Sequence, residues 1–189
     1  METKNIMIVG VGGQGTLLTS RVLGGIIQAA GYDVKLSEVH GMAQRGGSVV
    51  TFVRYGDKVY EPIVEEGQAD VLIAFEKLEA MRYAHFLKED GVMIVNDQRM
   101  DPMTVVTGMA EYPENILDTL KEKYRVVSID AMAEAKKLGN ARVFNTIILG
   151  VAAKSMDFDK EQWLEVIAAT VPPKTVELNQ KGFLTGYEK

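Results

Sequence analysis

Apolar positions change their period along this chain, and each change marks an element. Residues 6–9 are continuously apolar, as a strand buried on both faces requires. The chain then turns through Gly10-Val11-Gly12-Gly13-Gln14-Gly15-Thr16 into Leu17, Leu18, Val22, Leu23, Ile26 and Ile27. That spacing is one face of a helix, with Gly31 as its C-terminal stop. Gly24 and Gly25 lie inside it and cost about 1 kcal/mol each relative to alanine. They mark either a close backbone approach or a tolerated weak spot. Residues 33–39 read as a second strand. Where a second crossover helix would follow, the chain instead supplies His40-Gly41-Met42-Ala43-Gln44-Arg45-Gly46-Gly47 and a β-branched run at 48–53. Residues 55–60 have the form of a hairpin turn with a returning strand, so part of the sheet is expected to be antiparallel.

Strand–helix alternation then resumes, with strands at 69–75, 91–96 and 125–129 and helices at 76–88, 113–123, 131–138, 144–156 and 159–169. Pro172-Pro173 ends the last of these, and residues 175–187 form a polar tail suited to docking as a helix. The order predicts an α/β, Rossmann-like three-layer sandwich, its sheet mostly parallel with an antiparallel hairpin portion, in one domain spanning 1–189.

Composition narrows the function classes. Of 189 residues, 47% are apolar and 25% charged, ordinary for a globular chain, and a net charge of −5 argues against broad nucleic-acid binding. The count of 0 cysteines excludes disulfides, thiolate-held zinc and any iron–sulfur cluster on this chain's own cysteines. The first five residues lack the build of a signal peptide, and no apolar run approaches the ~18 residues of a membrane span. A cytoplasmic location is the expectation.

Two constellations carry candidate chemistry. Gly10, Gly12 and Gly15 fit G-x-G-x-x-G between a strand and a helix, where glycines admit a ligand to the backbone and the helix N-terminus favours an anion. Gly13, Gln14 and Thr16 complete this cradle, although the same glycines serve close packing and Thr16 serves equally as a cap. If the anion belongs to NAD, Glu38 is the candidate for the ribose hydroxyls; otherwise it is a strand-end carboxylate satisfied by a loop N–H or by Arg45. No lysine ends the cradle, which disfavours a P-loop NTPase.

The second constellation is the His40–Gly47 run, just past a strand end. His40 can exchange a proton near neutral pH, Arg45 offers a fork for carboxylate or phosphate beside Gln44, and Gly46-Gly47 can form an anion nest. Without a nucleophile, a paired base or metal-ligand spacing, these residues do not compose a self-sufficient active site. No metal site is expected, and His85 reads as structural or solvated.

The cradle, the stretch Ser37 to Val49 and the run Ala69 to Glu76 resemble the gamma-type subunit or domain of the 2-oxoacid:ferredoxin oxidoreductases. Residues 144–150, Pro172-Pro173-Lys174 and Gly182-Phe183-Leu184-Thr185-Gly186-Tyr187 look like later landmarks of that family, in the same order, so the resemblance spans nearly the whole chain. Within it, the His40–Gly47 run is most like the branch acting on aryl 2-oxo acids such as indolepyruvate. The resemblance implies an accessory subunit of a hetero-oligomer that oxidatively decarboxylates 2-oxo acids to acyl-coenzyme A and passes electrons to ferredoxin. Thiamine diphosphate and iron–sulfur clusters would belong to a larger partner subunit, and the isolated chain would be inactive. On this reading Gly10, Gly12, Gly13, Gln14, Gly15, Thr16, Gln44, Arg45, Gly46 and Gly47 are candidates for holding coenzyme A, and His40 and Arg45 face the partner's active site. A stand-alone NAD-dependent oxidoreductase and a non-catalytic scaffold are the rival readings.

Overall fold

Strand β1 (Lys4–Val11) is apolar on both faces because it lies inside a six-stranded sheet of order β2-β3-β1-β4-β5-β6. The computed structural model describes residues 2–41 and 46–189. Ile6 and Ile8 enter one apolar layer, Met7 and Val9 the other, the period of two that a strand imposes. Helix α1 (Thr16–Ala29) follows, then β2 (Asp33–His40), β3 (Ser48–Gly56), β4 (Ala69–Ala74), α2 (Lys77–Tyr83), β5 (Leu87–Asn96), α3 (Met103–Val106), α4 (Ile116–Lys121), β6 (Arg125–Ile129), α5 (Ala131–Lys137), α6 (Phe144–Ala153), α7 (Lys160–Thr170) and α8 (Val176–Tyr187). Strands β1, β4, β5 and β6 are mutually parallel, whereas β3 runs antiparallel to both β1 and β2. Residues of α1, α5, α6, α7 and α8 cover the Ile6/Ile8 face, and those of α2 and α4 the Met7/Val9 face. This is the three-layer, mixed-sheet α/β fold the pattern predicts.

Two local expectations are corrected. The antiparallel hairpin is β2–β3, connected through the glycine-rich run, and residues 57–68 form no strand. Side chains satisfy that returning segment instead. Asp33 accepts from the Val59 N–H at 3.0 Å, and Arg54 donates to the Glu61 and Ile63 carbonyls at 3.4 and 3.0 Å. The helix expected at 76–88 stops at Tyr83, makes a short 3-10 turn over Ala84–Phe86, and gives way to β5 already at Leu87. Leu87 pairs beside Ala69, and the strand bulges before Val71. Its apolar side chain joins the α2/α4 layer from the strand rather than from a helix.

The two glycines inside α1 mark close approaches. A Cβ on Gly25 would lie 2.7 Å from Val166 Cγ1 of α7, and one on Gly24 would lie 3.3 Å from Leu36 Cδ1 of β2. The tail is an ordered helix: Phe183 stacks between Trp163 and Tyr187, with ring centroids 5.8 and 5.7 Å apart.

Tyr55 makes the fold sensitive to alkali. It is 6% exposed, and burial followed by the Asp70 charge pushes its phenol from 10.0 up to about 12. A raised folded value means stability complete below the unfolded pKa and lost as pH climbs from about 10 to about 12. Tyr55→Phe should flatten that limb of a denaturation-versus-pH curve by up to about 2 kcal/mol, leaving neutral pH little changed.

Candidate functional site

The cradle is where β1 ends and α1 begins. Gly13 (φ +99°) and Gly15 (φ +83°) both adopt left-handed backbone, which glycine enters without a Cβ penalty. Gly10 is held by space instead, since a Cβ there would sit 3.0 Å from both Phe75 Cβ and Gln14 Oε1. Gly12 donates to the Gly47 carbonyl at 2.8 Å, tying the cradle to the segment that enters β3. Gly13 and Gly15 are exposed. The N–H groups of Gly13, Gly15 and Thr16 meet no acceptor among the described residues.

Gln14 faces inward. It is 5% exposed; its Oε1 accepts from the Val11 N–H at 2.7 Å, and its Nε2 donates to the Phe75 carbonyl at 3.0 Å and to Gln98 Oε1 at 3.2 Å. Asn96, fully buried, donates to the same two oxygens at 3.1 Å each and accepts from the Ala131 N–H at 3.0 Å. These amides lock together the ends of β1, β4 and β5 and the start of α5. Because Gln14 spends its polar atoms on the scaffold, it shapes the cradle from beneath.

A cavity of 380 Å³ brings Gly12, Gly13, Gly15, Thr16 and Leu17 together with Glu38, His40 and Val49. The sheet does this by placing β2 at its edge, with His40 paired to Val49. Glu38 is exposed and accepts from Thr51 Oγ1 at 3.3 Å; His40 is exposed, with Nδ1 3.2 Å from the Gly41 carbonyl. A second cavity, of 470 Å³, lies against Gly12 and Gly13 with Gly46, Gln98, Met100, Met132 and Phe144. Gln44 and Arg45 lie outside the described residues. His85 is half exposed, 3.6 Å from Glu66 and against the Phe86 ring, as a structural or solvated histidine would be.

Several residues with no role assigned from sequence converge here. Glu76 is 1% exposed and caps α2, accepting from the Glu79 N–H at 3.0 Å, the Met100 N–H at 3.1 Å and the Tyr112 hydroxyl at 2.5 Å. Burial, then the bond to Glu76, holds the Tyr112 phenol well above its ordinary range. Ser48 donates to Glu79 Oε2 at 2.5 Å. A carboxylate immediately after a buried strand is the one local signal for Glu76 as an N-cap; nothing local reports its partners.

Among the described residues no cluster of three His, Asp or Glu side chains is placed to hold a metal, and no helix is long and apolar enough to cross a membrane. β3 inserts antiparallel between β1 and β2, so β2 is not the immediate neighbour of β1 as in the dinucleotide-binding half, although Glu38 of β2 still lines the cradle cavity. Among the described residues the arrangement suits an anion at the cradle and provides no complete catalytic set beside it.

The profile of the family described as pyruvate ferredoxin/flavodoxin oxidoreductase matches residues 5–189. The chain is 40% identical to indolepyruvate oxidoreductase subunit IorB of Thermococcus kodakarensis, over 98% of this chain and 95% of that one. It is 42% identical to the subunit of the same name from Archaeoglobus fulgidus, over 98% and 94%. Among solved structures, the gamma subunit of a keto/oxoacid ferredoxin oxidoreductase from Geobacter sulfurreducens superposes with a TM-score of 0.72 at 26% identity, covering 98% of this chain and 96% of that one.

Proposed function

This chain belongs to the pyruvate ferredoxin/flavodoxin oxidoreductase family, and from that premise we propose that it is the small subunit of an indolepyruvate-type 2-oxo acid:ferredoxin oxidoreductase. The observation that carries the reading is the match to indolepyruvate oxidoreductase subunits at 40% and 42% identity along 98% of the chain. Its role is accessory. Thiamine diphosphate and the iron–sulfur clusters sit on a larger partner, in keeping with the 0 cysteines here. This chain closes one side of that partner's cleft and offers the cradle to a phosphate of coenzyme A.

The cradle fits a phosphate. N–H groups at Gly13, Gly15 and Thr16 that meet no acceptor among the described residues stand at the positive end of a 14-residue helix, beside a cavity of 380 Å³. Its size fits one phosphate-bearing portion of coenzyme A rather than the whole molecule. His40 faces the partner, Arg45 is the second candidate for that contact, and the chain alone has no turnover.

The test is the complex assembled with its partner. Gly12→Val adds a branched side chain at a glycine that lines both cavities, and Arg45→Ala removes the cation of the His40–Gly47 run. Either is expected to raise the KM for coenzyme A about tenfold, the size of one lost charge-assisted contact, with indolepyruvate preferred over pyruvate throughout. Coenzyme A dependence unchanged by both variants rules the reading out.

A further inference from the structure

Asn145 is the buried polar side chain that the fold brings to the cradle without giving its donor a partner. It sits in the first turn of α6, is 7% exposed, and its Oδ1 accepts from the Thr146 N–H at 3.2 Å. Its Nδ2 has no acceptor among the described residues, and is not sealed from solvent as the partnerless Thr19 Oγ1 and Trp163 Nε1 are. That nitrogen points at the cradle: a Cβ on Gly15 would lie 2.7 Å from it. Gly15 is thus glycine for two reasons, its left-handed φ of +83° and the closeness of the amide.

A mostly buried primary amide normally finds an acceptor for its N–H groups in the protein, in ordered water or in a ligand, and the residual opening at this one leaves it to the last two. Here the amide and the N–H groups of Gly15 and Thr16, none of them with an acceptor among the described residues, share one end of α1. The geometry points to Asn145 as a ligand-contacting residue whose Nδ2 donates to a phosphate oxygen held on the α1 N-terminus. This rests on the proposed function for the identity of the phosphate; the contact itself requires only an anion there. Gln14 does not compete for the role, its donor being spent on Phe75 and Gln98.

Asn145→Asp separates this contact from a structural one. The substitution keeps an oxygen for the Thr146 N–H and puts a negative charge in the first turn of α6, which favours the helix, while turning the cradle-facing donor into a repelling acceptor. In the assembled complex, the melting temperature is expected to hold or rise. The KM for the phosphate ligand should climb at least about tenfold, with a smaller rise for Asn145→Ala. Coenzyme A and thiamine diphosphate are titrated separately, and inorganic pyrophosphate is assayed as a competitor. A rise for either cofactor, with weaker pyrophosphate inhibition, supports the contact and says which phosphate occupies it. A melting temperature that falls with all three affinities unchanged makes Asn145 structural and overturns the inference. If Gly12→Val raises the coenzyme A KM and Asn145→Asp moves nothing, the inference fails alone; if both are silent, it fails together with the reading it rests on.

Discussion

Gly186→Val is expected to abolish folding, and Gly186→Ala to lower stability by more than the about 1–3 kcal/mol of ordinary core overpacking. The reason lies in how α8 meets α6. A Cβ on Gly186 would overlap the Ile147 carbonyl, one on Gly150 would overlap the Phe183 carbonyl, and one on Gly182 would come within 2.7 Å of Thr146 Oγ1. The helices therefore touch through backbone, and the obstructing atoms at Gly186 and Gly150 are carbonyls that no rotamer change can move aside. Total stability of a domain this size is of order 5–15 kcal/mol, so a β-branched side chain wedged there forces the helices apart. With α8 displaced, Phe183 leaves its stack between Trp163 and Tyr187. Gly139→Ala provides the comparison: its φ is +80° but nothing lies within 4 Å of a Cβ there, so it should cost only about 1–2 kcal/mol of backbone strain. Chemical denaturation of the three variants checks the order, and a Gly186→Ala midpoint no lower than that of Gly139→Ala contradicts it.

These glycines also show where the sequence could be read and where it could not. Gly182 and Gly186 were visible as landmarks in a tail whose spacing suits a helix, but the helix that α8 crosses lies some thirty residues earlier, and no local period reports it. The parallel core was legible because strands such as 69–75 are apolar on both faces, and only central strands can be so. The hairpin was misplaced because Tyr55 to Tyr60 carries a turn-like Gly56-Asp57, while the true return goes through a glycine-rich run that reads equally well as a ligand loop. The early start of β5 was hidden for a similar reason. Phe86 and Leu87 fit the spacing of the preceding helix, and the same apolar layer accepts them from a 3-10 turn and a strand.

At the site, the glycine spacing announced the cradle, and the sheet brought Glu38 and His40 to its rim as their position at a strand end implied. What stayed hidden was which side chains face the cradle and which face the scaffold. Gln14, inside the motif, turns inward to residues 61 and 84 positions away. Asn145, outside the motif, approaches Gly15 across two-thirds of the chain. Both assignments are made by tertiary contacts that no local pattern encodes.

Glu76 belongs to the same hidden layer, and Glu76→Ala is expected to destabilise the chain by about 3 kcal/mol or more, because it strands several buried donors at once. Its carboxylate is the acceptor shared by the Glu79 N–H at the start of α2, the Met100 N–H in the loop after β5 and the Tyr112 hydroxyl. Glu76→Gln is not a silent replacement. An amide has one oxygen where the carboxylate has two: turned toward Tyr112 and Met100, it aims its own N–H at the Glu79 N–H and loses the cap. Tyr112→Phe removes one donor to Glu76 and leaves the Glu79 and Met100 bonds in place, but it also takes away the oxygen that the Leu78 N–H meets, so it should cost about 1–2 kcal/mol. The double variant should be less damaging than the sum, since the phenol stranded by Glu76→Ala is no longer there. The phenol gives a second readout. In wild type, burial and then the bond to Glu76 raise its pKa, so removing the carboxylate must lower it, and phenolate absorbance should appear at lower pH in Glu76→Ala or Glu76→Gln. Met100 also lines the 470 Å³ cavity beside Gly12 and Gly13, so freeing its N–H loosens one wall of the cradle. An unchanged Tyr112 titration together with additive denaturation energies shows the three donors to be independent of Glu76.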